Sequence, residues 1–337
     1  MVIDSGMLAE RAQLRYVSDG EPGITRRRRG KGFSFAAADG SAIGESERLR
    51  ISTLVIPPAW TEVWICDDER GHLQATGRDA AGRKQYIYHP DWDEVRDEAK
   101  FDRLGPFGRA LPKLRARIQE DLGQRGLPHR KVVALATAVL DRTLIRVGNK
   151  CYTQNGSFGL TTLGTEHAEI DGNLVTFSFT GKGGVDHIVD LDDAPLAALM
   201  SRCQDLSGQH LFSYIADDQV AAVTSNDVND YVRSITGDEF SAKDFRTWGA
   251  SALATAHLGQ SGPPGGESDD QVILEAVDVA AEALGNTRAV CRASYIHPVI
   301  ADAYVSGDLH RAWTQSRSGR LMRRPERALS RLLTGAA

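Results

Sequence analysis

The stretch GNTRAVCRASYIHP spans residues Gly285–Pro298. Its first residue ends an apolar run with helical spacing, and its tyrosine, Tyr295, follows two arginines. A tyrosine hydroxyl among cations suits attack on a phosphodiester: the hydroxyl is the nucleophile, and the cations stabilise the charge that builds on phosphorus. The stretch therefore predicts a phosphate-binding site with a tyrosine nucleophile.

Composition limits the kind of protein that carries this stretch. The chain has 337 residues, enough for two domains, and 41% of them are hydrophobic, which fits packed cores. No apolar run approaches the roughly 20 residues of a membrane helix, and the N-terminus lacks the pattern of a secretory signal. The four cysteines lie far apart, without CxxC or HExxH motifs. We therefore expect no membrane segment, no metal site and a reducing cytoplasmic location.

The net charge of −5 argues mildly against binding to nucleic acid. The distribution is uneven, however, because basic residues concentrate in residues 26–31, 109–131 and 311–331. A local basic face can bind phosphates whatever the net charge. Such runs are about as often plain solvated surface, and the sequence leaves both interpretations open.

The N-terminal part has a β-strand pattern. Residues 1–20 are expected to be a loosely ordered leader. The apolar run at residues 63–66 and the segment 73–77 flank an acidic, glycine-containing turn, which predicts a hairpin. We predict a small β-rich domain over residues 1–90, followed by a charged link over residues 91–100.

The rest, residues 91–337, is predicted to be a mostly α-helical domain with an arginine-rich tail. Apolar residues at helical spacing predict a helix over 131–147, capped by Gly148, with Arg146 in its last turn. Asp171-Gly172 between alternating runs predicts a hairpin, and the glycine turn at 180–184 leads into a further strand. Lys182 would lie at the tip of this turn.

Two more helices are expected. Ser241 with Asp244 matches a helix N-terminal capping pattern, so Arg246 falls in the first turns of a helix, where the helix dipole favours an anion. Residues 259–270 predict a flexible surface loop, and residues 271–284 predict an amphipathic helix that Gly285 ends.

Taken singly, each candidate residue has an ordinary structural alternative. Arg146 could cap its own helix, and Lys182 could be a solvated turn residue. Arg246 could pair with Asp244 or a neighbour, and Tyr295 could be a half-buried aromatic whose hydroxyl is hydrogen-bonded.

The local contexts are more specific than the single residues. LIRVGNKCYTQNGSFGLTTL, FTGKGG, KDFRTWGAS and GNTRAVCRASYIHP occur in this order. Together they resemble the type IB DNA topoisomerases, in particular the compact branch of bacteria and poxviruses. PPAW and GRDAAGRKQYIYHP resemble the small DNA-clamping domain of that family. The resemblance runs from about Arg26 to Pro298.

The resemblance implies a role for each matching residue. Tyr295 would attack the scissile phosphate and become linked to the 3′ end. Arg146 and Arg246 would hold the non-bridging oxygens, and Lys182 would protonate the departing 5′ oxygen. Asn286 stands where many members have histidine; an amide can donate a hydrogen bond to a phosphate oxygen but cannot carry charge.

The resemblance also implies the architecture and the partners. It implies an α+β protein with a β-rich N-terminal domain and a mostly α catalytic domain with a small antiparallel sheet, the catalytic fold shared with tyrosine recombinases. A monomer would clamp double-stranded DNA without ATP or metal, as a cytoplasmic, nucleoid-associated enzyme. The candidate DNA contacts of the N-terminal domain are Arg83, Lys84, Gln85, Tyr86 and Tyr88, although the two tyrosines could instead pack on their own sheet.

Two other functions remain open at this stage. A tyrosine recombinase or integrase-like strand transferase uses a similar set of residues, but such enzymes generally have a histidine three residues before the second arginine, where this chain has Lys243. A non-catalytic DNA-binding paralogue is the other alternative, and the intact set of four candidate residues argues against it.

Overall fold

The computed structural model describes residues 5–30, 32–237, 240–265 and 268–335. The chain divides into two compact units, Met1–Asp102 and Arg103–Ala337. In the described part of the chain, every helix is too short or too polar to cross a bilayer.

The N-terminal unit contains a five-stranded antiparallel sheet of order β2-β1-β3-β4-β5. Its strands are β1 (Ile24–Arg29), β2 (Gly32–Ala36), β3 (Thr61–Ile65), β4 (Leu73–Arg78) and β5 (Lys84–Tyr88), and helix α2 spans Glu45–Thr53. The predicted hairpin is confirmed: β3 pairs with β4, with Ile65 opposite Ala75. Both residues are fully buried beside Ile51 of α2, so the sheet and the helix share one core.

Two predictions for this unit are wrong. The expected leader contains helix α1 (Ser5–Arg11), although residues 1–4 lie outside the described residues, and the expected charged link is part of helix α3 (Pro90–Asp102). Leu8 and Trp92 are buried in a small cluster that the two helices share. Arg11 also pairs with Glu98 at 2.8 Å. The charges that suggested a linker are the solvated face of an amphipathic helix.

The C-terminal unit is mostly helical. Its helices are α4 (Leu104–Leu122), α5 (His129–Thr143), α6 (Ala194–Gln204), α7 (Ser225–Thr236), α8 (Ala242–Ser261), α9 (Asp269–Leu284), α10 (Arg288–Ser294), α11 (Val299–Val305), α12 (Asp308–Gln315) and α13 (Arg324–Leu333). An antiparallel sheet is formed by β6 (Ala168–Asp171), β7 (Leu174–Thr180) and β8 (Asp186–Asp192), and β9 (Ser213–Ala216) pairs with β10 (Gln219–Ala222). The predicted α+β class is confirmed.

Helix α5 ends earlier than predicted. It stops at Thr143 because Leu144 adopts a left-handed conformation with φ 57°, so Arg146 follows the helix and does not lie in its last turn. The Arg146 carbonyl accepts a hydrogen bond from the Leu160 amide at 2.8 Å. A left-handed leucine is uncommon, and nothing in the sequence marks it as the stop. Gly148, the predicted cap, has φ +84° but lies outside the helix.

Helices α8 and α9 occupy the two ends of the segment predicted as a surface loop, residues 259–261 and 269–270. Gly259, which suggested the loop, lies inside α8; a Cβ there would come within 2.3 Å of the Trp313 ring, so this glycine permits close helix packing. Helix α9 begins at Asp269, and of the predicted loop Gly266 and Glu267 lie outside the described residues. The end of α9 is as predicted, because Gly285 is left-handed with φ 58° and ψ 46°.

The arginine-rich tail folds onto the rest of the C-terminal unit. Helix α13 packs against α8 and α12, and its Glu326 is buried with an exposed fraction of 4%. Arg115 of α4 donates to both Glu326 oxygens at 2.8 and 2.6 Å and to both Asp141 oxygens at 2.8 Å. One residue of the second basic stretch therefore serves the core of the unit and not a solvated surface.

Candidate active site

Arg246 is the buried centre of the site. Helix α8 begins at Ala242, where the Asp244 carboxylate accepts the Ser241 amide at 2.8 Å as the capping pattern predicts. One turn later, the Arg246 side chain is 5% exposed and its guanidinium donates to the carbonyls of Leu144 and Leu284. Its Nε has no hydrogen-bond partner among the described residues. Burial and then nearby Arg146 lower the pKa of Arg246 to about 10, so it is still charged at neutral pH.

Arg146 and Asn286 form the next part of the site. Arg146 Nη2 donates to Asn286 Oδ1 at 2.8 Å, and this contact fixes which end of the amide is oxygen. The Asn286 Nδ2 group is buried and has no partner among the described residues. The left-handed Gly285 directs the chain so that the Asn286 amide N–H reaches the Ala281 carbonyl at 2.9 Å. An amide N–H₂ with no protein acceptor can donate to a ligand oxygen.

Tyr295 is the residue that follows α10, and it is half-buried. The Arg246 guanidinium carbon lies 5.4 Å from the centroid of its ring. Burial by itself would raise the pKa of the Tyr295 hydroxyl, but Arg246, Arg146 and Lys243 together lower it below its ordinary value. The cations outweigh desolvation, so the site favours phenolate character.

Ser251 fixes the backbone that directly follows the tyrosine side chain. Its side chain is fully buried; its Oγ donates to the Tyr295 carbonyl at 3.1 Å and accepts the His297 amide at 3.1 Å. Ser251 lies five residues after Arg246 on α8, so one helix positions both the buried cation and the tyrosine segment.

Lys182 lies at the tip of the turn between β7 and β8, as predicted. The turn is closed by the Gly181 amide on the Val185 carbonyl at 2.7 Å. Lys182 is exposed and lines a small pocket together with Arg146, Arg246 and His187. The structure thus brings the five predicted catalytic candidates together from separate segments of the C-terminal unit.

The site has an excess of positive charge. Within the described residues, no carboxylate forms an ion pair with Arg146, Lys182 or Arg246. The predicted alternative for Arg246 fails, because Asp244 pairs instead with Arg103 at 3.3 Å. Buried charges are normally paired, so an unpaired buried arginine beside a second arginine indicates a site for an anion.

The five candidate DNA contacts lie together on the N-terminal unit, where Asp79 organises part of the group. Arg83 and Gln85 both donate to Asp79, at 2.9 and 2.8 Å. Lys84 pairs with Asp19 and lies over the Tyr86 ring. Tyr86 is 48% exposed and stacks on Tyr88, whereas Tyr88 is half-buried against the core clusters of its own unit.

Sequence reasoning missed two residues of the site, Ser251 and His187. His187 occupies an inward position on β8, five residues after Lys182. Side chains alternate along that strand, exposed at 186 and 188 and inward at 187 and 189. This alternation of a β-strand was the signal that could have placed His187 on the inward face. Nothing in the sequence distinguished Ser251 from an ordinary buried helix residue.

Comparison with known proteins gives matches over most of the chain. Residues 89–304 match the family model of the eukaryotic DNA topoisomerase I catalytic core, and residues 32–79 match that of the bacterial DNA topoisomerase IB N-terminal domain. A curated relative, DNA topoisomerase 1B of Acanthamoeba polyphaga mimivirus, is 30% identical over 293 residues, 84% of this chain and 87% of the relative. A solved structure of a XerH site-specific recombinase, bound to palindromic difH substrate, is 15% identical with a TM-score of 0.35, over 65% of this chain and 55% of the recombinase chain.

The catalytic-core match contains the whole cation-tyrosine site. The chain belongs to the type IB DNA topoisomerases, and it is a DNA topoisomerase, an isomerase.

Proposed function

We propose that this enzyme relaxes supercoiled duplex DNA by transient cleavage of one strand, with Tyr295 as the nucleophile. The observation that carries the proposal is a group of cations, with no carboxylate partner among the described residues, around a tyrosine whose pKa they lower. The Tyr295 hydroxyl gives up its proton to water and its oxygen bonds to phosphorus. The bond from phosphorus to the 5′ oxygen breaks, and the enzyme is left linked to the 3′ phosphate. The free 5′ hydroxyl can then rotate about the intact strand and attack in reverse, which restores the phosphodiester.

The arginines and Asn286 bind the phosphate. Arg246 Nε and Asn286 Nδ2 are the two buried donors of the site that have no partner among the described residues. Both can donate to non-bridging oxygens, with Arg146 beside them as a second charge. Fixed donors and charges aimed at the developing negative charge need no reorganisation during the reaction.

Lys182 is the general acid for the leaving 5′ oxygen. Its turn places it on the rim of the pocket lined by the arginines, so it can give a proton to the leaving oxygen of a phosphate bound there. The covalent link conserves the phosphodiester energy, so the reaction requires no ATP. The arginines and the lysine supply the positive charge, and we propose that no metal ion is needed.

The N-terminal unit would contribute DNA contacts. Tyr86 and Lys84, with Arg83, Gln85 and Tyr88 beside them, form the surface proposed to contact the duplex, and a monomer would clamp the DNA between the 1–90 and 91–337 domains. Contacts to phosphates would make binding salt-sensitive. The proposed place of action is the nucleoid in the cytoplasm.

A suicide duplex, whose short 5′ leaving strand dissociates after cleavage, tests the nucleophile. Wild-type protein should accumulate a covalent adduct, and Tyr295→Phe should form none while it still binds DNA, because the change removes one hydroxyl and little packing. Tyr214→Phe, a half-buried tyrosine of the same unit, is the matched control and should cleave normally. An adduct with Tyr295→Phe would mean that another residue is the nucleophile.

A further inference from the structure

His187 lies in a notch formed by two glycines. A Cβ on Gly181 would come within 2.6 Å of the His187 ring, and a Cβ on Gly285 would come within 2.1 Å of it. Gly181 directly precedes Lys182, and Gly285 directly precedes Asn286. The ring therefore fills the space between the lysine turn and the segment that carries Asn286.

The His187 ring contributes to this site through packing and not through hydrogen bonds or charge. It stacks on Phe179, with centroids 5.1 Å apart and an interplanar angle of 13°. Neither ring nitrogen forms a hydrogen bond to a described residue. Burial, and then the charges of Arg146 and Arg246, lower the pKa of His187, so the imidazole is neutral at neutral pH.

Apart from the ring, a few hydrogen bonds hold the lysine turn, one of them from Thr180 Oγ1 to Asp186 Oδ1 at 2.8 Å. Backbone hydrogen bonds close it, from Gly181 to Val185 and from Gly184 to Gly181, and the Phe158 amide holds Thr180 at 2.8 Å. Lys182 itself forms no ion pair or hydrogen bond with the described residues. Gly183 and Gly184 both have positive φ values, 82° and 76°, so the tip has few constraints of its own.

We propose that His187 is a positioning residue, whose ring sets the height of the Lys182 turn over the arginines and so aims the lysine at the leaving oxygen. This inference rests on the proposed function of Lys182. Without the ring, the turn would sink toward Gly285, and a misplacement of about 1 Å can cost up to about 100-fold in rate.

The test compares two leaving groups in single-turnover cleavage. His187→Ala should cleave an ordinary duplex about 10- to 100-fold more slowly than wild type, and it should cleave a 5′-bridging phosphorothiolate at close to the wild-type rate, because a thiolate leaves without a proton. General destabilisation would slow both substrates equally, and equal defects would overturn the proposal. Ile188→Ala, 78% exposed on the same strand, is the control and should cleave both normally.

Two further variants keep the proposal testable if His187→Ala is poorly folded. Gly181→Ala forces a methyl group against the ring and should show the same oxygen-specific defect. Adding His187→Ala to Lys182→Ala should cause no further loss on the ordinary duplex, and an additional loss would contradict a role through the lysine. If Lys182→Ala alone slows both substrates equally, the general-acid assignment fails and the His187 proposal fails with it. If Lys182→Ala shows the oxygen-specific defect and His187→Ala does not, the general-acid assignment stands and only the His187 proposal is overturned.

Discussion

Asn286 shows how a neutral side chain can serve a charged site. Its oxygen is occupied by Arg146, and this contact turns its buried N–H₂ group away from the arginine. Many relatives are expected to have histidine at this position, and an asparagine can replace the hydrogen bond but not a proton transfer.

Asn286→Ala should lower the single-turnover cleavage rate by about 10- to 100-fold, roughly 1.4–2.7 kcal/mol, the scale of one hydrogen bond made in the transition state. Asn286→His should keep substantial activity, because an imidazole N–H can make the same bond. Asn286→Asp should be worse than alanine, since a carboxylate would pair with Arg146 and repel the phosphate. Wild-type rates for the alanine variant would make Asn286 a helix-boundary residue only.

The lowered pKa of Tyr295 predicts a pH profile. The cleavage rate should rise with pH and level off below the ordinary tyrosine pKa of about 10, because the phenolate is populated earlier in the site. Arg146→Ala removes one of the charges that lower this pKa. The variant should cleave more slowly, and the rise in its cleavage rate should shift to higher pH. Arg202→Ala, exposed on α6, should leave the profile unmoved, and an unshifted profile for Arg146→Ala would contradict the electrostatic account.

The position of a single site residue could be predicted from the sequence where a local motif, such as a turn or a helix cap, surrounds it. Lys182 lies at its predicted glycine turn and Arg246 behind its predicted cap. The position of Arg146 could not be predicted, because the left-handed Leu144 that ends α5 has no sequence signal. His187 and Ser251 act through packing and backbone contacts with segments far away in sequence, and a single sequence does not show such contacts.

Among the elements, helix α8 organises the site and the tail supports the helix. Arg246 and Ser251 lie on α8, while Trp248 of the same helix donates to Glu326 of α13 at 3.3 Å. Glu326 is also bound by Arg115. The arginine-rich tail therefore packs against α8 and stabilises the helix that carries Arg246 and Ser251. The run of charged residues in its sequence did not indicate this structural role.

Glu326→Gln should lower the thermal unfolding midpoint at neutral pH, because the buried Arg115 loses one of its two charged partners and keeps only Asp141. Burial would raise the pKa of Glu326, but Arg115 lowers it overall. A lowered folded-state pKa means that this stability is present above the unfolded pKa and is lost as the pH falls through the folded one. The difference between wild type and variant should therefore narrow in acid.

Thermal unfolding followed across pH measures this difference. Glu282→Gln, on the exposed face of α9, is the matched control and should match wild type at each pH. A constant difference between Glu326→Gln and wild type would contradict the ionic account of the tail contact.

For the whole molecule, local sequence patterns were enough to predict the α+β class, with a β-rich N-terminal part and a mostly helical C-terminal part. The β3–β4 hairpin and the Gly285 helix stop are examples, because turn chemistry and periodicity are local. The assignments of α1, α3 and the C-terminal end of α8 failed because those helices owe their stability to partners distant in sequence, such as Trp92 for α1 and Trp313 for α8.

Incubation of the protein with supercoiled plasmid in EDTA, without nucleotide, tests the central claim most directly. Wild-type protein should relax both negative and positive supercoils under these conditions, and Tyr295→Phe should relax neither. A strict requirement for Mg²⁺ or ATP, or relaxation by Tyr295→Phe, would contradict the account of a tyrosine nucleophile activated by arginines and lysine alone.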